Sequence, residues 1–478
     1  MPARKKATSK QGASAELPAL QGRILQGEIT LSDHVHEAVD SLRELDREYA
    51  MMTAISEELA RSQAKALDAE KRKLGKDILR ARPLLGLCVS FKDAICVRGV
   101  QSAAGSKALK GYTPVFDATV VSRLREAGCI VLGKTAQDEF GFGSFSVNVG
   151  KDFRIPRNPL DRERCCGGSS GGAAALAAAA LFPHVAIAES TGGSIAAPAA
   201  FCGVHGLCPT YGLVSRNGLI DYANSLDKIG PIARSLDDVS RVLDVIAGFD
   251  AADATSLQRT MAPEAMPKSI ALVKQEGVAE EVASAMWDAV KRMESSGVSY
   301  KEVSLPYTAK FALAAYYIIA TSEASTNLAR YCGLRYGFQP PVEGSAEEHF
   351  TVTRGEAFGA EAKRRILLGT YARMAGYRSA YYERALAVRS RIIAEYQGVL
   401  KRFGALVSPA MPLFPPRFDE LSQLTPLQHY AMDHLLVGPN LAGLPHLSIP
   451  LQARLPAGLL LIGNHLQEKT LIRLGRMA

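Results

Sequence analysis

Leu31, Val35, Ala38, Val39 and Leu42 recur at the spacing of one helix face, and Ser32 or Asp33 stands where a side chain can cap the first turn. The stretch from Leu17 to Lys76 accordingly reads as helices. The period changes at Leu84. Leu85 to Phe91 is a short apolar run suited to a buried strand, Cys129 to Leu132 is another, and the amphipathic segment Ala118 to Ala127 precedes the second as a helix. Such alternation predicts an α/β fold in which helices cover a largely parallel sheet. Further on, Ser269–Val273 reads as a strand, Ala279 to Ser295 as a helix, and Thr370 to Arg402 as one long helical stretch. Ala405 to Ser408 and Leu447 to Pro450 read as late strands returning to the sheet.

Composition narrows the class. Of 478 residues, 47% are apolar and 22% charged, enough to fill a large core and too ordered a mixture for a disordered chain. The net charge is +8, but Arg4, Lys5, Lys6 and Lys10 supply half of it within residues 1–15, a Lys/Ala/Ser tail expected to be disordered. The body is thus only mildly basic, a weak signal for nucleic acid. The eight cysteines form no Cys-x-x-Cys pair, which argues against zinc or a disulfide framework and for reduced thiols. The alanine-rich run Ala173 to Ala188 is broken by Pro183 and His184, so no membrane span is expected. With no apolar segment after the charged N-terminus, the protein is expected in the cytoplasm. The organisation expected is one domain over 16–478. It comprises a helical part at 16–83, a catalytic core at 84–250, a linker at 251–268 and a helix-rich half at 269–478.

One motif is a false lead. Gly128 to Thr135 satisfies G-x4-G-K-T, but a phosphate loop needs a strand before its first glycine and a turning loop after it. Here a helix precedes Gly128, and Cys-Ile-Val-Leu is fit for a strand, so Lys134 reads as a strand-end residue and ATP binding is not expected.

Two glycine-flanked serine loops carry the stronger signal: Gly167-Gly-Ser-Ser-Gly-Gly172 and Thr191-Gly-Gly-Ser194. Apolar helix and strand lie between them, so they are held by a core. A serine nucleophile needs a base, a path for its proton and N–H groups aimed at the developing oxyanion. Gly192 and Gly193, with Thr191 and Ser194, can turn their N–H groups into one concavity. His184 and His205 sit in tight apolar or glycine-rich surroundings that suit buried, neutral imidazoles. Lys92 ends a buried strand, where low dielectric favours the uncharged amine and makes it a candidate base.

Lys92 in Phe-Lys-Asp, the two serine loops, Pro198 to Gly203, Gly206 to Gly212 and Leu226 to Pro231 occur in the order and spacing of the amidase signature family, which this chain resembles. The resemblance implies the amidase signature fold, a central mixed, largely parallel β-sheet with helices on both faces. It also implies a Ser-Ser-Lys triad: Ser194 as nucleophile, Lys92 as base and Ser169 as the bridge, with Ser170 the weaker candidate for that bridge and Asp93 structural. Ser322 to Tyr331, Lys363 to Tyr371, Gly376-Tyr with Tyr381-Tyr382, and Asn440 to Pro445 resemble the glutamine-hydrolysing branch that serves tRNA-dependent amidation, and Ala188-Glu-Ser-Thr-Gly-Gly-Ser-Ile195 with Phe182-Pro-His184 resembles its archaeal type.

That branch implies glutamine as substrate, with Arg365 or Arg364 on its α-carboxylate, Asp433 on its α-amino group and Tyr316 or Tyr317 lining the pocket. It implies a heterotrimer completed by the B and C subunits of the amidotransferase, mischarged tRNA reached through the complex, and ATP and magnesium on the partner, with no cofactor in this chain. Ser190 and Ala196 depart from the Asp and Arg that many amidases carry around the second loop. Two other readings of the residues stand beside this one: a free-standing amidase of small amides, and a silent scaffold for the tRNA-binding partner.

Overall fold

The computed structural model describes residues 16–478; the expected tail at 1–15 lies outside them. Short runs, most of them apolar and buried on both faces, make the strands; the edge strand Ser299–Val303 is mostly exposed. In chain order they are β1 Met52–Ile55, β2 Cys88–Lys92, β3 Ile130–Thr135, β4 His184–Ser190, β5 His205–Cys208, β6 Lys228–Ala233, β7 Ser269–Val273, β8 Ser299–Val303, β9 Leu406–Pro409, β10 His446–Pro450 and β11 Gly458–Ile462. They form one mixed sheet in the order β1-β3-β2-β4-β6-β5-β10-β11-β9-β7-β8.

Parallel pairing is concentrated in two blocks, β3-β2-β4 and β9-β7-β8. These are the stretches where a helix returns the chain: Thr119–Glu126 leads into β3, and Glu280–Ser295 connects β7 to β8. The six pairs between and beyond the blocks are antiparallel. Helices cover both faces. On β4, Val185 and Ile187 enter one apolar cluster while Ala186 and Ala188 enter another on the opposite side, as strand alternation requires.

Three local expectations change. The helix Leu31–Tyr49 is capped by Thr30, whose hydroxyl accepts from the Asp33 N–H while Asp33 reaches back to the Thr30 N–H; neither Ser32 nor Asp33 is the cap. The long stretch from Thr370 is broken: one helix ends at Arg373 and the next, Arg384–Leu400, begins after a π-helical turn at Ser379–Glu383. Gly376 lies in the break with φ +86°, a conformation outside any right-handed helix. The alanine-rich run yields only the nine-residue helix Gly171–Ala179 before β4 begins, and no helix among the described residues is long and apolar enough to cross a membrane.

The parallel block sets up the site. β2 and β4 run side by side in the same direction, so Lys92 and Ser190 end neighbouring strands, and the two serine loops lie beyond those carboxyl ends. Lys134 lies within β3, as expected for a strand residue, and is fully buried. Its Nζ donates to the Asp93 carbonyl at 3.1 Å, to Ser102 Oγ at 2.8 Å and to the Ile95 carbonyl.

Burial lowers the Lys134 pKa from 10.5 to about 8 despite the Asp93 carboxylate nearby. The folded protein therefore binds fewer protons than the unfolded chain between those values, and its stability rises with pH across that window. Lys134→Met is expected to lose about 2–4 kcal/mol at neutral pH by leaving three acceptors unpaired. The gap to wild type should widen from pH 8 towards 10 in denaturant titrations.

Candidate active site

Lys92 has no exposed surface. A buried ammonium requires partners for its three N–H donors, and it has three. Nζ donates to Ser169 Oγ at 2.7 Å, to the Glu189 carbonyl at 2.9 Å and to Glu189 Oε2 at 2.9 Å. Ser169 follows a cis peptide bond to Gly168 and is itself fully buried. The Ser169 hydroxyl is the one that meets the amine; Ser170 instead donates to the Glu189 carbonyl at 3.2 Å and precedes the helix Gly171–Ala179. Gly141 closes over this group with φ +81°, where an added Cβ would come within 3.5 Å of both Ser169 Oγ and Glu189 Oε2.

Ser194 is the outermost of the three, 6% exposed, and its Oγ hydrogen-bonds to none of the described residues. Its loop is pressed against the first: a Cβ on Gly167 would come 2.8 Å from Pro198 Cα, just past Ser194. Asn440 sets the loop's orientation. Its side-chain amide donates to the Thr191 carbonyl and, at 3.5 Å, to the Ser190 carbonyl. Because C=O and N–H point oppositely across a trans peptide, holding the Thr191 carbonyl turns the Gly192 N–H the other way. The N–H groups of Gly192, Gly193 and Ser194 donate to no described residue, which leaves them available to a developing oxyanion. Gly192 and Gly193 are required here by close approach, since a Cβ would meet the Tyr316 ring at 2.8 Å and the Leu436 side chain at 2.4 Å.

Beyond this loop stand a cation and a carboxylate. Arg365 is buried, with Nε donating to Glu361 Oε1 at 2.7 Å and Nη1 to the Tyr222 hydroxyl at 2.6 Å. The rings of Phe142, Tyr317 and Tyr430 lie within 5.1–5.3 Å of the guanidinium. Nη2 has no protein partner among the described residues and is not sealed off. Arg364 is the more exposed of the two and, among the described residues, pairs only with Glu361. Asp433 accepts from the Tyr317 hydroxyl at 2.7 Å, and burial raises its carboxyl above the ordinary carboxylate range. The two tyrosines divide the work: Tyr316 packs on Gly192, and Tyr317 holds Asp433 and stacks on Tyr430 at 4.3 Å.

The histidines are elsewhere. His184, level with Cys88 at the opposite end of β2 from Lys92, meets Ser90 Oγ with its Nε2 at 2.9 Å, and burial lowers its pKa to about 3. His205 falls to about 4 for the same reason. Both are neutral and away from the serines. Asp93 accepts from the Gly105 N–H at 2.8 Å and braces a turn.

Several contributors escaped the sequence reading. Glu189 sits one residue before the noted departure at Ser190, and strand alternation aims it, not Ser190, at Lys92. Ser190 faces the other side of β4, towards Cys208, its hydroxyl without a geometrically formed hydrogen bond to any described residue. Asp227 and Asn440 lie inside strings already singled out, Leu226 to Pro231 and Asn440 to Pro445, but only the fold shows where they reach. Asp138 accepts from the Ser146 and Asn148 N–H groups beside the first loop, and burial raises its pKa to about 7.

Comparison with known proteins agrees with this geometry. Residues 33–472 match the family described as Amidase. The A subunit of the glutamyl-tRNA(Gln) amidotransferase of Geobacillus sp. (strain WCH70) is 43% identical over 470 residues, covering 96% of this chain and 95% of the relative. Its counterpart from Methanococcoides burtonii is 45% identical over 406 residues, covering 82% and 84%. The crystal structure of the glutamyl-tRNA(Gln) amidotransferase A subunit from Thermotoga maritima superposes with a TM-score of 0.74 at 30% identity, over 94% of each chain. Sequence, fold and near-complete coverage point the same way, and the chain belongs to the amidase family.

Proposed function

We propose that this chain is the glutamine-hydrolysing A subunit of a tRNA-dependent amidotransferase. The observation that carries the reading is the pairing of two features across one loop. On one side of Thr191 to Ser194, a buried lysine meets a serine; on the other, Arg365 and Asp433 offer a fixed cation and a carboxylate. Glutamine carries an α-carboxylate, an α-ammonium and a side-chain amide, so it presents a partner for each. A simple amide would use only the first side. The relatives named above are the A subunits of glutamyl-tRNA(Gln) amidotransferases and are matched over most or nearly all of their length.

In this reading Arg365 binds the α-carboxylate through its spare Nη2, Asp433 the α-ammonium, and Tyr316 walls the side chain against Gly192. Ser194 attacks the amide carbon while its proton moves through Ser169 to the base centred on Lys92. The Gly192 and Gly193 N–H groups, together with that of Thr191 or Ser194, hold the oxyanion. The same relay protonates departing ammonia, and water then hydrolyses the γ-glutamyl ester. Ammonia passes to the B subunit, which activates Glu-tRNA(Gln) or Asp-tRNA(Asn) with ATP and magnesium, and the C subunit clamps the pair. The expected cytoplasmic location suits that work.

Two measurements check this. Ammonia release from glutamine by the assembled complex should be abolished in Ser194→Ala and fall by about 10^3-fold or more in Lys92→Ala, as loss of one member of such a unit commonly does; a loss under tenfold in either contradicts the assignment. Arg365→Lys should raise the glutamine KM by about tenfold or more, since an ammonium cannot reproduce the guanidinium fork. Hydrolysis of an amide lacking an α-carboxylate should be unaffected. Fast turnover of small amides together with indifference to Arg365→Ala would favour the small-amide amidase.

A further inference from the structure

The carboxylate on Lys92 belongs to a second set of groups that the reaction just described does not use. Thr191 Oγ1 lies 2.7 Å from Glu189 Oε1 and 2.8 Å from Asp227 Oδ1. A hydroxyl has one proton, so it can donate to only one of these oxygens. Two ionised carboxylates would leave the other contact as lone pair against lone pair, and one carboxyl must therefore carry a proton. Glu189 has its other oxygen 2.9 Å from the Lys92 amine. Asp227 is raised well above the ordinary carboxylate range, first by burial and then by the Glu189 charge, although the Tyr222 and Ala223 N–H groups donate to it. The hydrogen bonds then run one way: Asp227 donates to Thr191, Thr191 to Glu189, and Lys92 to Glu189.

This arrangement puts a carboxylate, held by two donors and enclosed with an amine, directly behind the base. We propose that Glu189 is a proton-holding partner that acts through Lys92: the buried pair, and not the lysine alone, takes up the proton of Ser194. The inference rests on the triad assignment above and deepens it. In the step, an N–H of Lys92 breaks as an O–H forms on Glu189 Oε2. The amine so released takes the Ser169 proton, and Ser169 takes that of Ser194 as the Ser194 oxygen bonds to the amide carbon. The pair passes from ammonium and carboxylate to ammonium and carboxylic acid, and the reverse sequence delivers the proton to departing ammonia. The donor and acceptor of this transfer lie 2.9 Å apart and are both buried.

The sign of a pH shift separates this from a lone neutral lysine. The groups facing the pair are Asp138 from the segment after β3, Asp227 from the turn before β6, and Cys208 from β5. Asp138, at about 7, could titrate in the same range, so the experiment is run in the presence and absence of Asp138→Asn. In the full-length chain within its complex, Glu189→Gln should lower kcat for glutamine by about 10^2-fold, with KM within about threefold. It should also move the acid limb of kcat/KM upward by about one pH unit or more, because an amine must shed its proton at higher pH than a carboxylate.

A limb that stays in place, as for a purely structural contact, overturns the proposal. So does one that moves down, as a lone amine relieved of a neighbouring carboxylate would. Ser194→Ala run alongside tells the failures apart. Activity surviving there removes the triad assignment and this proposal with it, whereas its loss with an unmoved limb in Glu189→Gln removes this proposal alone. A reading that needs no variant to fold comes from the wild type with a boronic acid analogue of glutamine, whose adduct leaves the Ser194 proton on the base. Its infrared difference spectrum should show one carboxylate converted to a carboxylic acid, and unchanged carboxyl absorption overturns the proposal.

Discussion

An amine with no access to water must find in the protein everything that water would supply, and the Lys92 amine finds it within 3 Å: one hydroxyl, one carbonyl and one carboxylate. The surrounding architecture follows from that demand. Two of the three acceptors belong to Glu189 on β4, which reaches Lys92 because β2 and β4 are parallel neighbours. The third, Ser169, is delivered by a loop whose approach depends on glycines, since a Cβ on Gly168 would come 2.3 Å from Asp138 Oδ2. A wrong side chain at any of these positions would leave a buried donor unpaired, at a cost of several kcal/mol.

Polarity is graded outward from that point. Behind Lys92 lie Glu189, Thr191 and Asp227, sealed and hydrogen-bonded to one another. In front lies Ser194, its hydroxyl bonded to none of the described residues and with three N–H groups beside it that none of them uses. Asn440 joins the two zones, because the Thr191 carbonyl it holds belongs to the same peptide as the Gly192 N–H. The pocket is tied in as well. Asp227 accepts from the backbone of Tyr222, whose hydroxyl accepts from Arg365. The network behind the base and the cation expected to bind substrate thus share one residue.

Much of this could be read from the chain because motif and fold coincide there. The run from Cys129 to Leu132 is continuously apolar and that ending at Phe91 nearly so, so β2 and β3 announce themselves, and glycine-flanked serines between ordered segments mark loops held by a core. The antiparallel centre of the sheet was hidden for a physical reason. β5 spans four residues, and β6 contains both Gly230 and Pro231, so neither offers enough apolar length to distinguish a strand from a loop. The break after Arg373 was missed because a lone glycine in a Tyr- and Arg-rich helical pattern is weak punctuation. At the site, the departure at Ser190 was visible, but not its compensation. Which of two adjacent polar residues faces Lys92 is set by strand register, a property of the sheet and not of the string.

The parts agree in one requirement: a proton must leave Ser194 into a place that water does not reach, and the acyl group left behind must sit on that same oxygen. The most direct observation is of that bond. Enzyme quenched during turnover of glutamine and digested for mass spectrometry should carry a single γ-glutamyl group on the peptide containing Ser194. Continued release of ammonia with no adduct there, or with the adduct on another residue, would contradict the account.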